Sequence, residues 1–240
     1  MLITKFEETI LNSKTNKNLG FKSLALILLS SIFIVSGCSS TSGNAPEFSE
    51  DGLKLVKSSR NTAVYKKEGV DLSQFSRIVI AESTAAFKEN WQRDYNRNQR
   101  VMSARITDAE IQKAQTDVAL MMDELFKEEF RKLEGFDEEG NIVEGTLLLR
   151  PSIINLSVNA PDKQAATRSR TFTDSAGEAT LFLEVYDAKN AKLLGRVIDR
   201  KEDRGTGFYT WTTSVSNRAD VRRAIRSWAT QLREHFESLK

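Results

Sequence analysis

The chain of 240 residues has one cysteine and one histidine. A single cysteine excludes an intramolecular disulfide. Catalytic triads and most metal centres use a histidine that a second group holds in place. The one histidine, His235, falls late in a predicted helix, where its charge suits the helix C-terminus. We therefore expect no catalytic histidine, no metal site and no cofactor.

The chain also lacks an excess of charge of one sign. It has 35 basic and 33 acidic side chains, and residues 1–37 hold four of the basic and two of the acidic ones. The remaining residues therefore carry 31 of each. Nucleic-acid binding needs a basic surface that displaces counterions from phosphates, so the balance argues against a nucleic-acid partner. Gly205 and Gly207 are not followed by the lysine and the helix start that a phosphate-binding loop requires. This argues against nucleotide binding.

No apolar run in the sequence is long enough to span a membrane. Residues 24–35 form the main run. As a helix this run would extend about 18 Å, whereas the hydrocarbon core of a bilayer is about 30 Å thick. The run has the length of the apolar region of a signal peptide, and Lys14, Lys17 and Lys22 supply the positive charge before it. The sequence therefore predicts a signal peptide over residues 1–37.

Cys38 ends the sequence Val35, Ser36, Gly37, Cys38, which follows the apolar run directly. This layout resembles the lipobox of bacterial lipoprotein precursors. The resemblance implies cleavage between Gly37 and Cys38, a diacylglyceryl group on the sulfur and an acyl chain such as palmitate on the new amino terminus. One acyl chain binds a membrane reversibly, whereas two or more signals give stable anchoring. We therefore expect the lipid on Cys38 to be the membrane anchor.

Residues 39–50 are rich in small and polar residues, and they predict a flexible tether. Ser39 follows Cys38 where some lipoproteins have aspartate, which resembles the pattern of lipoproteins sorted to the outer membrane. The chain then divides into a lipoprotein signal peptide over 1–37, a lipidated cysteine and tether over 38–50, and a periplasmic α+β domain over 51–240.

Two long helices are predicted in the periplasmic domain. The first begins at a capping box formed by Thr107 and Glu110, and an apolar stripe continues from there to Leu133. The second begins after Asn217 as its cap, with Asp220 in the first turn. Its apolar stripe continues to the end of the chain.

Strand patterns occur on both sides of the first helix. Short β-branched runs lie at 61–65 and 77–81, and alternating runs follow between 146 and 199. A hairpin loop is predicted at 187–191, and Pro151 indicates a sheet edge or a bulge because proline cannot donate to a ladder. The predicted fold is a single α+β domain, in which a mostly antiparallel sheet of four or five strands is packed on one face by two long helices.

Four segments of the chain occur in the same order in a known group of proteins. The first segment is 48–53, and the second combines 70–75 with 77–80. The third is 179–199, which contains Gly195, Arg196, Val197 and Asp199 and is followed by Arg200. The fourth is 220–232, which contains Trp228 and Ala229. These segments resemble the bacterial lipoproteins of domain-of-unknown-function family 3313. The resemblance implies an envelope lipoprotein and no particular activity.

An aromatic segment follows Gly205 and Gly207. Phe208, Tyr209 and Trp211 could anchor a partner or stack on a sugar ring. The structural alternative is that Tyr209 and Trp211 fold back and seal the sheet. We take these three aromatic residues as the candidate partner-binding site.

Charged residues leave two further alternatives open. Five arginines could form a basic patch, or they could pair with neighbouring acids: the arginines are Arg168, Arg170, Arg196, Arg200 and Arg204, and the acids are Asp199, Glu202 and Asp203. Paired and solvated arginines are favoured. A glycan hydrolase would need two carboxyl groups about 5–10 Å apart. Glu82, Glu178 and Glu184 are candidates, although a solvated Glu184 is favoured.

The sequence favours a non-catalytic, lipid-anchored lipoprotein that acts as a binding or assembly module of the Gram-negative envelope. Its predicted location is the periplasmic face of the outer membrane. Its expected partners are the membrane, through the lipid anchor, and an envelope protein or glycan. The alternative is a peptidoglycan hydrolase that uses a carboxylate pair. A lipid or small-ligand carrier is a third option, and it would require a dry cavity between sheet and helices.

Overall fold

Seven strands form one open sheet in the computed structural model, which describes residues 45–158, 172–173, 177–202, 210–211 and 214–239. These strands are β1 (Lys54–Ser58), β2 (Thr62–Lys66), β3 (Arg77–Ile80), β4 (Thr84–Phe87), β5 (Thr146–Val158), β7 (Gly177–Asp187) and β8 (Lys192–Glu202). A separate two-stranded ribbon consists of β6 (Phe172–Thr173) and β9 (Thr210–Trp211).

The strand order in the sheet is β1-β2-β8-β7-β5-β3, with β4 also beside β5. The neighbours β1-β2, β2-β8, β8-β7 and β7-β5 are antiparallel, whereas β3 and β4 run parallel to β5. The prediction of a single, mostly antiparallel domain is confirmed. The predicted count of four or five strands is too low, because β1 and β4 contain few of the β-branched residues that mark a buried strand.

The parallel edge of the sheet is broken beside Pro151. β3 pairs with residues 146–149 and β4 pairs with residues 152–156. The carbonyl of Leu149 accepts a hydrogen bond from the amide of Ala81 at 2.9 Å. The backbone N–H and C=O groups of every second residue of β5, counted from Leu149, therefore point toward β3 and β4. The missing N–H of Pro151 therefore points at the break. The sequence predicts a sheet edge or a bulge at Pro151. β5 as a whole is a central strand, but neither β3 nor β4 pairs with it at Pro151, so this position is locally an edge.

The helices are α1 (Trp91–Arg97), α2 (Asp108–Phe130) and α3 (Ser214–Glu237). The predicted capping box is confirmed, because the hydroxyl of Thr107 accepts from the amide of Glu110 and the Glu110 carboxylate accepts from the amide of Thr107. The predicted start of the last helix is wrong. Asn217 lies inside α3, because the helix already begins at Ser214.

The long helices α2 and α3 cover one face of the sheet, as predicted. Large side chains from both helices and from the central strands fill the space between the two layers. The buried core includes Met121, Met122, Leu125, Phe126 and Phe130 of α2, Ile225, Trp228 and Ala229 of α3, and Leu147, Leu149, Ile153, Leu181 and Leu183 of the sheet. Among the described residues, packed side chains fill the space between sheet and helices where a lipid or small-ligand carrier would need a dry cavity.

Glu47 and Phe48 belong to the segment predicted as a tether, and both pair with β1. The amide of Leu55 donates to the carbonyl of Glu47 at 2.7 Å, and Phe48 forms a bridge with Lys54. The predicted signal peptide, the cleavage position and Cys38 lie outside the described residues. Among the residues that are described, no helix combines the length and apolar character needed to cross a bilayer.

Ion pairs between α2 and α3 show the relative direction of the two helices. Arg222 lies 3.6 Å from Glu124, and Arg226 lies 3.2 Å from Glu128. Both helices advance by four residues between these contacts, so α2 and α3 run parallel. Exposed pairs of this kind contribute little to stability, about 0–1 kcal/mol each.

Glu129 is the buried member of this helix interface, with only 5% of its surface exposed. The ammonium of Lys132 donates to its carboxylate at 2.8 Å, and Arg233 lies 3.6 Å away. The hydrogen bond from Lys132 lowers the pKa of Glu129 below its ordinary value of 4.5, and the charge of Arg233 acts in the same direction against the effect of burial. The ionised carboxylate is therefore favoured by folding.

We expect Glu129→Gln to lower the free energy of unfolding at pH 7 by about 2 kcal/mol, because a charge-assisted hydrogen bond is lost in a buried place. A carboxylate with a lowered pKa stabilises above its unfolded pKa, and that stability is lost as the pH falls through the folded pKa. The difference between variant and wild type should therefore shrink below the ordinary value of 4.5. Urea unfolding across this pH range measures it. Glu128→Gln is the exposed control, and an equal loss in both variants would contradict the prediction.

Candidate functional site

A cleft of about 220 Å³ opens where β5 and β8 end, beside the first turns of α3. Its floor is apolar and consists of Leu156, Val158, Ala179, Val221 and Ala224. Its rim is charged and consists of Glu178, Lys201, Glu202, Asp220 and Arg223. Pockets that enclose a whole small molecule usually measure about 300–1,000 Å³. This cleft therefore suits one group of a larger ligand.

Two backbone features shape the floor of the cleft. Asn155 has a left-handed φ of 54°, and it lies where the pairing of β5 with β7 shifts register. Beyond this bulge the backbones approach closely, since a Cβ on Gly177 would lie 1.9 Å from the carbonyl oxygen of Ser157. Glycine at position 177, with a φ of 139°, is therefore required for β7 to begin where it does.

Lys201 is a half-buried cation on the wall of the cleft. Its ammonium donates a hydrogen bond to the hydroxyl of Ser227 and lies 5.5 Å from the ring centre of Trp228. Burial lowers the pKa of Lys201, and the nearby charge of Asp199 offsets part of that effect. Within the part of the chain that the structure describes, no carboxylate forms an ion pair with this ammonium. A half-buried cation without an acidic partner can accept an anion from a ligand.

The carboxylate of Asp199 connects β2 to α3 beside the cleft through two hydrogen bonds. Thr62 donates its hydroxyl to one carboxylate oxygen, and the indole N–H of Trp228 donates to the other at 2.7 Å. Both oxygens therefore have donors from the protein. This arrangement fixes the indole ring on which Lys201 lies.

The acidic residues on the rim have basic neighbours. Glu178 contacts Arg200 and Lys88, Glu202 contacts Arg200, and Asp220 contacts Arg223. These contacts neutralise the acids of the rim. Lys201 is then the rim charge that no described residue neutralises.

The predicted aromatic site is only partly within the described residues. Phe208 and Tyr209 lie outside them. The backbone of Trp211 belongs to β9 and pairs with Phe172, in a ribbon separate from the main sheet. The segment 203–213 connects the end of β8 to the start of α3, and both of these elements line the cleft. The role of the three aromatic residues as a partner-binding site stays a prediction.

The carboxylates considered for catalysis are not brought together as a group. Glu178 and Glu184 lie six residues apart on β7. Six residues of strand span about 20 Å, which is too far for a hydrolase pair. Glu82 is exposed in the break between β3 and β4. Glu178 and Glu202 do lie directly opposite each other on β7 and β8.

Glu184 is not solvated, contrary to the prediction. Its side chain is 13% exposed, and it accepts hydrogen bonds from Arg196 at 2.8 Å and from the hydroxyl of Tyr186 at 3.0 Å. The reason is the strand register, which places Arg196 directly opposite Glu184. This network lies on the face of the sheet away from the helices.

The two described arginines of the predicted group are paired. Arg196 lies 2.6 Å from Asp51 in addition to its contact with Glu184, and Arg200 contacts Glu178 and Glu202. A basic patch is therefore absent at these two positions. Arg168, Arg170 and Arg204 lie outside the described residues.

No group of three side chains that could hold a metal ion occurs in the described ranges. His235 lies in the last turn of α3, where its ring centre is 6.1 Å from that of Phe236. Sequence reasoning missed Lys201 and Ser227. Asp199 and Lys201 occupy alternate positions of β8 on its helix-facing side, where apolar residues are expected. Two charged residues in this apolar pattern were the signal in the sequence that could have indicated a site.

The family model of DUF3313, described as a protein of unknown function, matches residues 47–232, and the chain belongs to this family. No curated protein matches the sequence. The PelC dodecamer from Paraburkholderia phytofirmans shares 8% identity at a TM-score of 0.32, covering 71% of this chain and 93% of that chain. Protein XCC0632 from Xanthomonas campestris, of the family DUF330, shares 11% identity at a TM-score of 0.31, covering 69% and 89%. Similarities this weak carry no functional argument.

Proposed function

We propose that the protein is a non-catalytic, lipid-anchored module that binds a partner at the periplasmic face of the outer membrane. The observation that carries this proposal is Cys38, which ends a lipobox-like sequence directly after a signal-peptide pattern. The matched family region begins at residue 47, so the cysteine stands shortly before the folded part. A lipid at this position would hold the body close to the membrane.

The cleft supports a binding role. It combines an apolar floor with Lys201, and its acidic rim residues are neutralised by arginines and a lysine. Such a surface suits a partner that presents an apolar group beside an acidic one. The segment with Phe208, Tyr209 and Trp211 lies between β8 and α3 in the sequence, and aromatic side chains of this kind often anchor a partner.

Crosslinking in intact cells, followed by identification of the co-purified partner, tests this function. We expect Lys201→Gln and Trp211→Ala each to reduce the recovered partner about tenfold, because central aromatic and charged contacts dominate binding energy. Lys192→Gln is the matched control, since this exposed lysine lies at the other end of β8. Undiminished recovery with both variants would remove the cleft and the aromatic segment from the proposed interface.

The second candidate function, a peptidoglycan hydrolase, rests on the adjacent carboxylates of Glu178 and Glu202. Both contact Arg200, whereas hydrolysis requires one carboxyl group to carry a proton. We expect purified sacculi to stay intact with the wild-type protein. Release of soluble fragments that Glu178→Gln or Glu202→Gln abolishes would favour the hydrolase instead.

A further inference from the structure

The β1–β2 hairpin lies at one end of the strand order of the sheet and has no acidic residue between positions 54 and 67. Its basic residues are Lys54, Lys57, Arg60, Lys66 and Lys67. We name this group the basic edge. Lys54 is paired with Glu68 at 2.8 Å. The other four form no ion pair with any residue of the described ranges. The charge of Lys66 acts on Asp71.

Two large apolar side chains are exposed next to the basic edge. Val56 is 57% exposed and lies at the bulge between Leu55 and Lys57. Phe48 is 50% exposed and bridges the first residue of β1. Exposed apolar side chains among lysines and arginines are typical of surfaces that bind the interface of an anionic membrane.

The basic edge is also where the chain arrives from the proposed anchor. Phe48 is ten residues beyond Cys38. A flexible chain of ten residues has an r.m.s. length of about 16–19 Å, and full extension would reach about 35 Å. Since Glu47 and Phe48 pair with β1, this short connection ends directly on the basic edge.

We propose that the basic edge docks onto the anionic phospholipid surface of the membrane that carries the anchor. Lys57, Arg60, Lys66 and Lys67 contact the headgroup phosphates, while Phe48 and Val56 enter the interface. The inference rests on the proposed lipid anchoring, which brings the edge to the membrane. Docking then orients the body, in addition to the attachment through the lipid.

Vesicle co-sedimentation of residues 41–240, which form one compact unit and lack Cys38, tests the docking. The probes are vesicles of equal parts phosphatidylglycerol and phosphatidylcholine, compared with vesicles of phosphatidylcholine alone. A lysine or arginine close to an anionic surface contributes about 1 kcal/mol, which corresponds to about fivefold in affinity. Lys57→Gln with Arg60→Gln should therefore weaken binding to the anionic vesicles about 20- to 30-fold. Binding should also weaken with rising salt.

The control removes two exposed positive charges elsewhere, by Lys192→Gln with Arg100→Gln, and should change binding less than twofold. Absence of binding to anionic vesicles, equal binding to both kinds of vesicle, or equal loss in both double variants overturns the proposal. Loss of self-association in the Lys57 and Arg60 variant, with vesicle binding unchanged, would assign the edge to a second copy of the chain. Because this fragment has no lipid, its result is independent of whether Cys38 is acylated.

Discussion

Trp228→Ala is expected to lower the free energy of unfolding by about 4 kcal/mol. Trp228 is 2% exposed and belongs to the core between α3 and the sheet. Removing a buried aromatic side chain of this size costs about 3–5 kcal/mol, through lost burial and through the cavity that remains. The substitution also removes the indole donor from Asp199, so one carboxylate oxygen loses its partner in the protein.

Urea unfolding at pH 7 measures the effect, and two variants separate its causes. Trp228→Phe keeps a large ring but removes the donor to Asp199, and it should cost about 1–2 kcal/mol. Trp91→Ala is the matched control, because Trp91 is only half-buried and packs between Phe87 and Tyr95 at the surface. A loss at Trp228 no larger than the loss at Trp91 would mean that α3 does not pack on the sheet as described.

Cys38→Ser is expected to abolish incorporation of labelled palmitate into the protein. The thiol of Cys38 is the only sulfur nucleophile of a cysteine in the chain, so no other residue can take the diacylglyceryl group through a thioether. Each buried CH₂ of an acyl chain contributes about 0.8 kcal/mol to membrane binding, so the loss of the lipid should exceed anything the basic edge supplies. Metabolic labelling in cells, with immunoprecipitation of the protein, measures it.

Ser39→Ala is the control for this substitution, because it changes the neighbouring residue and keeps the sulfur. It should retain the label. A Cys38→Ser chain that still carries palmitate would place the acylation at another residue, and the proposed anchor would then be wrong.

Local patterns made α2 and the β7–β8 hairpin predictable. The capping box at Thr107 and the apolar stripe of α2 depend only on residues within four positions of one another. The hairpin likewise joins two alternating strands through a short loop. The start of α3 is not fixed by such a pattern, because several small polar residues lie near it in the sequence and each is a favourable N-cap.

Features that depend on distant pairing were not predictable. β4 consists of Thr84–Phe87, and it is a strand only because β5 offers it a parallel partner about 70 residues further along. The break beside Pro151 has the same origin. A single sequence contains no signal for which strand will lie next to a proline.

The cleft likewise depends on contacts between residues that are far apart in the sequence, so it was not predictable. Lys201 and Trp228 meet because α3 crosses the end of β8, and spacing along the sequence says nothing about that crossing. Glu184 was expected in solvent for a related reason. Its burial depends on Arg196, which only the register of the neighbouring strand places opposite it.

Intact mass spectrometry of the mature protein, purified from membranes, tests the proposed anchor most directly. The first residue should be Cys38, with a diacylglyceryl group on its sulfur and an acyl chain on its amino group. A mature protein that retains residues 1–37, or that begins at an unmodified Cys38, would contradict both the anchor and the envelope location proposed from it.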